Sequence, residues 1–301
     1  MYDVLIIGAG PAGMTAVIYA ARAGLNYVIV EKMFAGGQAA TTFEVDNYPG
    51  FVGIISGPEL AFKFESHTEK FGAKIEYAEI DKLELDGTVK RAYAEDKVYE
   101  AKNVILAMGA TPRTLGLPRE EELRGSGVAY CATCDGAFYK GKTVAVAGGG
   151  NTAVEDALFL SRFCEKIYLI HRRDKLSADK ILTARLMANP KVEFVWNSVI
   201  TGIEGKKVER ITIENKISGA SSALEVNGLF IAIGTVPSNG IVPDIIAANA
   251  EGYIITDEKM RTNIEGVYAA GDIREKPLRQ IVTAAADGAV AASMIARELH
   301  S

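Results

Sequence analysis

Two glycine-rich turns, each set between an apolar strand and a helix-forming run, constrain this chain more than any other feature. The first is Gly8-Ala9-Gly10-Pro11-Ala12-Gly13, after Tyr2-Asp3-Val4-Leu5-Ile6-Ile7. The second is Gly148-Gly149-Gly150-Asn151-Thr152-Ala153, after an apolar run over 143–147. A strand that stops at glycine and continues as a helix opens a βαβ unit, the start of a nucleotide-binding sheet. Two such starts predict an α/β protein with two Rossmann-like dinucleotide-binding domains, each a three-layer ββα arrangement. The 301 residues suffice for two domains of ordinary size.

The pattern along the chain assigns the pieces. The first unit reads as strand 3–7, helix 13–23 and strand 27–31, followed by a loop-like stretch over 33–58 rich in Gly and Pro. An amphipathic helix is expected over 58–71, antiparallel strands over 74–100 and a strand over 102–109. The second unit reads as strand 143–147, helix 152–163, strand 167–170, alternating strands over 192–214 and a closing strand over 229–234. A last strand, 267–270, and a helix, 279–299, are too short to stand alone and are expected to complete the first domain. The second domain, 114–241, is thus expected as an insertion between 1–113 and 242–301. Both crossings contain Pro and Gly, which suits a paired hinge.

The chemistry follows from the turns. Gly8 permits the tight bend, Gly10 lets a pyrophosphate approach the backbone, and Gly13 packs helix on strand. The helix start offers N–H groups and a favourable dipole to phosphate. Glu31 falls 18 residues after Gly13, at the end of the second strand, where a carboxylate can accept from a ribose diol. Gly148, Gly150 and Ala153 repeat the pattern. There, however, the acid's position is occupied by His171-Arg172-Arg173. Arginine binds a 2′-phosphate bidentately, so the second site is expected to take an NADP-type nucleotide.

Between the turns lies Cys131-Ala132-Thr133-Cys134-Asp135-Gly136. Two thiols at this spacing close a reducible disulfide, commonly with one thiol at lowered pKa, and Asp135 can exchange protons with it. Two dinucleotide sites around one dithiol describe an electron path. The remaining cysteine, Cys164, sits in a helical pattern and reads as packing. A zinc site lacks two further ligands. The net charge of −5 argues against nucleic acid or an anionic membrane as partner. Neither a secretory signal nor a membrane-spanning run is expected, and C-x-x-C usage suits a cytoplasmic redox protein.

These residues resemble a known family. GAGPAG at 8–13, GGQ at 36–38, NYPG at 47–50, CATCDG at 131–136, GGGNTAVE at 148–155, HRR at 171–173 and AAGDI with RQ at 269–280 are similar to the low-molecular-weight thioredoxin reductases of the bacterial type. The likeness runs end to end. It implies FAD in the first domain, held by Gly8, Gly10, Pro11, Ala12, Gly13 and Glu31, with Gly37, Gln38, Asn47 and Gly109 near the ribityl and ring region. Gly271 and Asp272 would meet the ribityl or phosphate end at another helix start, and Arg279 and Gln280 the isoalloxazine. It implies NADPH on Gly148, Gly150, Asn151, Thr152, His171, Arg172 and Arg173. Cys134 would face the flavin and Cys131 would attack the disulfide of thioredoxin or a similar small protein. A homodimer and a mobile second domain are also implied. The chain departs from the family pattern at Ser177 and Ser126, where basic residues are usual, and at Ala137, where an aromatic is common. The first two departures remove charge near NADPH and leave NADH, or a non-nicotinamide donor such as ferredoxin, as the alternative.

Overall fold

The computed structural model describes residues 1–42, 45, 47–95 and 97–300, with every side chain among them except that of Cys134. Residues 43, 44 and 46 of the expected loop, and residue 96 of the expected strands, fall outside. The chain divides into two compact units, Met1–Thr111 with Val236–Ser301, and Pro112–Thr235. Residues 112–113 and 236–241 therefore lie on the other side of each crossing from the expected ranges. Ser238 shows why: its N–H donates to the Gly109 carbonyl at 2.9 Å.

The first unit opens with β1 (Tyr2–Ile7), α1 (Pro11–Arg22), β2 (Tyr27–Glu31), α2 (Gly37–Thr41), α3 (Gly57–Lys70) and β3 (Ile75–Tyr77). It continues with β4 (Lys82–Glu84), β5 (Lys90–Ala94), β6 (Lys97–Leu106) and β7 (Ala110–Pro112). The second unit holds β8 (Val128–Ala129), α4 (Ala132–Asp135), β9 (Thr143–Gly148), α5 (Asn151–Leu160), β10 (Lys166–Ile170) and α6 (Lys180–Met187). Then come β11 (Val192–Val195), β12 (Ser198–Glu204), β13 (Arg210–Asn215), β14 (Ser221–Glu225) and β15 (Gly228–Ala232). The chain returns through β16 (Thr235–Pro237) to β17 (Val267–Ala269) and α7 (Ile281–Leu299). At the crossings, β7 and β16 pair as a two-stranded sheet.

In the first unit, β3-β2-β1-β6 run in order, with β17 against the far end of β6. All of these pairs are parallel. β6 belongs to two structures at once. Its Lys97–Ala101 half pairs antiparallel with β5, and its Val104–Leu106 half lies between β1 and β17. Its burial follows suit: it alternates over the first half and is continuous over the last four residues. A strand covered on one face alternates, whereas a parallel strand covered on both faces reads apolar throughout. Val4 and Ile6 pack toward α1, α3 and α7, while Leu5 and Ile7 pack toward the β4–β5 side. The second sheet, β11-β10-β9-β15-β8, is wholly parallel. α5 and α6 cover one face, and the antiparallel β12-β13-β14 layer covers the other. Each unit therefore has three layers.

Three expectations change. β3 joins the parallel sheet rather than the expected antiparallel strands, and β11, expected only as an alternating strand, is parallel too, because strands of three and four residues carry too little period to show their partners. The 152–163 helix ends at Leu160. Lys180–Met187 is helical although only Leu186 of it is fully buried, so its apolar stripe is faint. Among the described residues, no helix is long and apolar enough to cross a membrane.

Candidate active site

The first glycine turn is closed by the fold at two of its glycines and open at the third. Gly8 has φ +102°, and a Cβ there would lie 2.5 Å from the Ala107 carbonyl oxygen. At Gly13 a Cβ would lie 1.9 Å from the Gly8 oxygen. Gly10 differs: its φ of −75° suits any residue, and nothing lies within 4 Å of a Cβ there. Two of the glycines are therefore required by the fold itself, while the third borders open space. Glu31 lies at the same turn. Its carboxylate accepts from the Ala9 N–H at 2.8 Å and the Met33 N–H at 3.0 Å, which fixes it at the end of β2.

Distant segments converge on this turn. Gly36 donates to the Ala9 carbonyl at 2.7 Å, and Gly37, at φ +53°, would place a Cβ 3.4 Å from the Gly10 Cα. Gln38 donates to the Ala110 carbonyl, just past Gly109. Asn47 donates to the Gln280 side chain at 3.0 Å. Asp272 stands in a 3-10 turn, Gly271–Ile273, rather than at the start of α7, which begins at Ile281. Burial pushes its carboxyl up, partly opposed by Lys276 and Arg279. Its Oδ1 and the Arg279 Nε are buried with no hydrogen-bond partner. The Arg279 guanidinium lies 3.9 Å from the Tyr253 ring centroid. A gap at Gly10, an orphaned buried carboxylate oxygen and an orphaned guanidinium nitrogen fit a polar, elongated ligand such as FAD.

The second turn repeats the logic. At Gly148 a Cβ would meet the Ala232 oxygen at 2.4 Å, whereas at Gly150 the nearest atom, Ser177 Oγ, is 3.9 Å away. Gly149 is closed by His171, whose ring would lie 2.2 Å from a Cβ there. His171 is buried, stands edge-on to Trp196, and its pKa is lowered by burial and then by Arg173 and Arg172. A neutral imidazole thus packs against the turn, leaving the exposed Arg172 and Arg173 as the charges beside it. Two partners escaped the sequence reading. Ser177 donates through its N–H and hydroxyl to the Gly149 carbonyl, at 2.8 and 3.1 Å. Asn151 and Asp179 bond each other twice, at 3.1 and 2.8 Å. The position expected to carry a third arginine instead fastens a loop to the glycine turn.

The dithiol segment follows β8 in the second unit. Cys131 is half-buried, disulfide-bonded, and 3.3 Å from the Thr133 hydroxyl. Cys134 lies in α4, and its side chain is outside the described residues. The Asp135 N–H donates to the Cys131 carbonyl at 3.1 Å. Gly136 closes the segment: a Cβ there would lie 2.9 Å from Leu160 and 3.0 Å from Phe163. Upstream, Glu120 is 3 % exposed and accepts from the Leu115 and Leu117 N–H groups and, at 2.7 Å, from the Tyr130 hydroxyl. It anchors the residue just before Cys131, and no motif marks it. Cys164 is free and buried, with its thiol pushed up to about 11, far from a reactive value.

Asp156 on α5 gives a pH prediction. Burial, and then Glu155, push its carboxyl from 3.8 up to about 7. The folded state favours the protonated form, so the stability this group contributes is full below the ordinary value and lost as pH rises through about 7. Asp156→Asn removes the cost of ionisation. With allowance for partial exposure, it raises stability at pH 8 by about 1–2 kcal/mol, or about 2–8 °C in unfolding midpoint, and changes little near pH 4. Thermal unfolding at the two pH values checks this. Equal midpoints of variant and parent at pH 8 rule it out.

Two glycine turns on parallel sheets and a C-x-x-C segment define a nucleotide-dependent disulfide oxidoreductase. The chain belongs to the pyridine nucleotide-disulphide oxidoreductase family, whose sequence model matches residues 2–288, and within it to the low-molecular-weight thioredoxin reductases. It is 48% identical over 298 residues to a thioredoxin reductase of Bacillus subtilis (strain 168), covering 98% of this chain and 94% of that one. It is 47% identical over 294 residues to one of Listeria innocua, covering 97% and 92%. A solved thioredoxin reductase structure from Streptococcus pyogenes MGAS5005 superposes with a TM-score of 0.89 at 48% identity, covering 100% of this chain and 98% of that one.

Proposed function

We propose that the protein is a thioredoxin-disulfide reductase that carries FAD in the first unit and takes electrons from NADPH on the second. The observation that carries this reading is the Cys131 disulfide in the unit that also holds the second glycine turn. FAD, when bound, would take a hydride from NADPH and supply the two electrons that reduce the Cys131–Cys134 disulfide to the dithiol. Gly8, Gly10, Pro11, Ala12, Gly13 and Glu31 hold its pyrophosphate and ribose. Gly37, Gln38, Asn47 and Gly109 line its middle, and Gly271, Asp272, Arg279 and Gln280 close the site. Gly148, Gly150, Asn151, Thr152 and His171 shape the NADPH site, and Arg172 and Arg173 take the 2′-phosphate.

In the reduced enzyme, the Cys131 thiolate attacks one sulfur of the thioredoxin disulfide. A mixed disulfide forms and one partner thiolate leaves. Cys134 then attacks the Cys131 sulfur, releasing the second partner thiolate and restoring the Cys131–Cys134 disulfide. Asp135 takes the proton from the attacking thiol and supplies one to the leaving thiolate. A cytoplasmic homodimer is the form in which we expect it.

Rapid-mixing bleaching of the flavin by NADPH and by NADH, followed by turnover with thioredoxin, tests the reading. NADPH should be strongly preferred. One charged bidentate contact is worth about 1.5–3 kcal/mol, or about 10–150-fold. Arg172→Ala with Arg173→Ala should therefore remove most of the preference, chiefly through KM for NADPH. Ser177, committed to Gly149, adds no charge to that contact. An unchanged preference in the double variant would place the 2′-phosphate elsewhere.

A further inference from the structure

Asp287 belongs to none of the motifs, yet it is the most heavily engaged buried acid of the first unit. It is 7 % exposed on α7. Its carboxylate accepts from the Gly271 N–H at 3.0 Å, from Lys276 Nζ at 2.6 Å and from Arg274 Nη1 at 3.4 Å. The Lys276 side chain is only 4 % exposed. The Arg274 Nε is held in turn by the Thr256 hydroxyl at 2.7 Å.

Both ends of this network are fixed. The next residue, Gly288, would place a Cβ 2.0 Å from the Ala12 carbonyl oxygen, so α7 and α1 are in backbone contact there. Gly271 has φ +79°, and a Cβ on it would lie 3.0 Å from the Ala12 Cβ. Asp287 therefore ties the Ala270–Gly271 peptide, just before Asp272, to the helix that begins at the first glycine turn. The carboxylate next along the chain is the one with the orphaned Oδ1. A buried ion pair is weak evidence of stabilisation, since an apolar replacement of equal volume is often no worse. Holding a geometry is the better-supported use of such a pair.

We propose that Asp287, with Lys276 as its counter-ion, is a positioning residue for the flavin: it fixes the Ala270–Gly271 peptide against the first glycine turn so that the Asp272 carboxylate, on the next residue, meets the ribityl or phosphate end of FAD. The inference rests on the FAD site proposed above. It makes the hydrogen bond to Gly271, not the charge, the part that FAD binding depends on.

Full-length apoprotein titrated with FAD tests it, by flavin fluorescence and by the visible circular dichroism of the bound flavin. Asp287→Asn with Lys276→Met keeps an acceptor for Gly271 and removes both charges. It should bind FAD within about 3-fold of the parent. Asp287→Leu with Lys276→Met removes the acceptor as well. It should bind about 10–100-fold more weakly, with altered flavin dichroism and an apoprotein unfolding midpoint close to that of the Asn variant. If the leucine variant does not fold, Asp287→Ala in the same background carries the same expectation. Equal FAD affinity and dichroism in the acceptor-bearing and acceptor-free variants would overturn the positioning role. Asp272→Ala separates this from the site itself: full FAD affinity in that variant means the site reading has failed, and the positioning role with it.

Discussion

Cys131→Ser should still bleach its flavin with NADPH and should reduce thioredoxin at least about 1000-fold more slowly than the parent. Hydride transfer involves only the two cofactors, whereas exchange needs an attacking thiol and a resolving one. Cys134→Ser should lose turnover to the same extent by a different route. Its Cys131 thiolate can attack the partner but nothing releases it, so a covalent complex through position 131 should accumulate. Non-reducing electrophoresis of each variant with thioredoxin distinguishes the two. A complex trapped through position 134 in Cys131→Ser would reverse the roles. Normal turnover in either variant would remove the dithiol from the mechanism.

Gly10→Ala and Gly13→Ala should fail in different ways. At Gly10 the backbone accepts any side chain and no protein atom lies within 4 Å of a Cβ. Alanine there should leave the apoprotein folded and intrude only on the pyrophosphate, weakening FAD by about 10–150-fold. At Gly13 the added methyl would lie 1.9 Å from the Gly8 oxygen. That strain should cost about 3–5 kcal/mol whether or not flavin is present. The ratio of flavin to protein absorbance, with apoprotein unfolding midpoints, reads both effects. A Gly10→Ala protein purified with its full complement of FAD would show that the gap is not the pyrophosphate site.

The glycine turns were legible because their constraints are local: a tight bend, a helix start and an acid or arginine pair at fixed spacing. What the sequence hid depends on partners far along the chain. Asp287 sits in an alanine-rich run and reads as the polar face of a helix. Only its phase with the buried Ala284, Gly288 and Ala291 hints that it points inward, and Gly271 and Lys276 give it a reason to. Ser177 could be seen only as a missing charge, until its two bonds to Gly149 became visible. Glu120 looked like one more acid in a charged stretch, because the three donors it gathers come from two separate segments. β6 spans the boundary between the antiparallel strands and the 102–109 strand expected from the sequence, because its apolar pattern changes from alternating to continuous midway.

The return of the chain to the first unit has a consequence for biosynthesis. The second unit is continuous, Pro112–Thr235, and all its strands are available once that stretch has left the ribosome. The first unit must wait for β17 and α7. Until then the alanine face of α1 and one side of the β6 edge have no cover. Elongation at about 5–20 residues per second leaves those surfaces bare for seconds, long enough to recruit chaperones or to aggregate. The site proposed for the flavin, where Asn47 bonds Gln280 and Asp287 accepts from Gly271, is thus among the last parts of the molecule to form. Flavin can therefore be captured only once nearly the whole chain has been made, so its supply bears on the last step of folding rather than on the earlier ones.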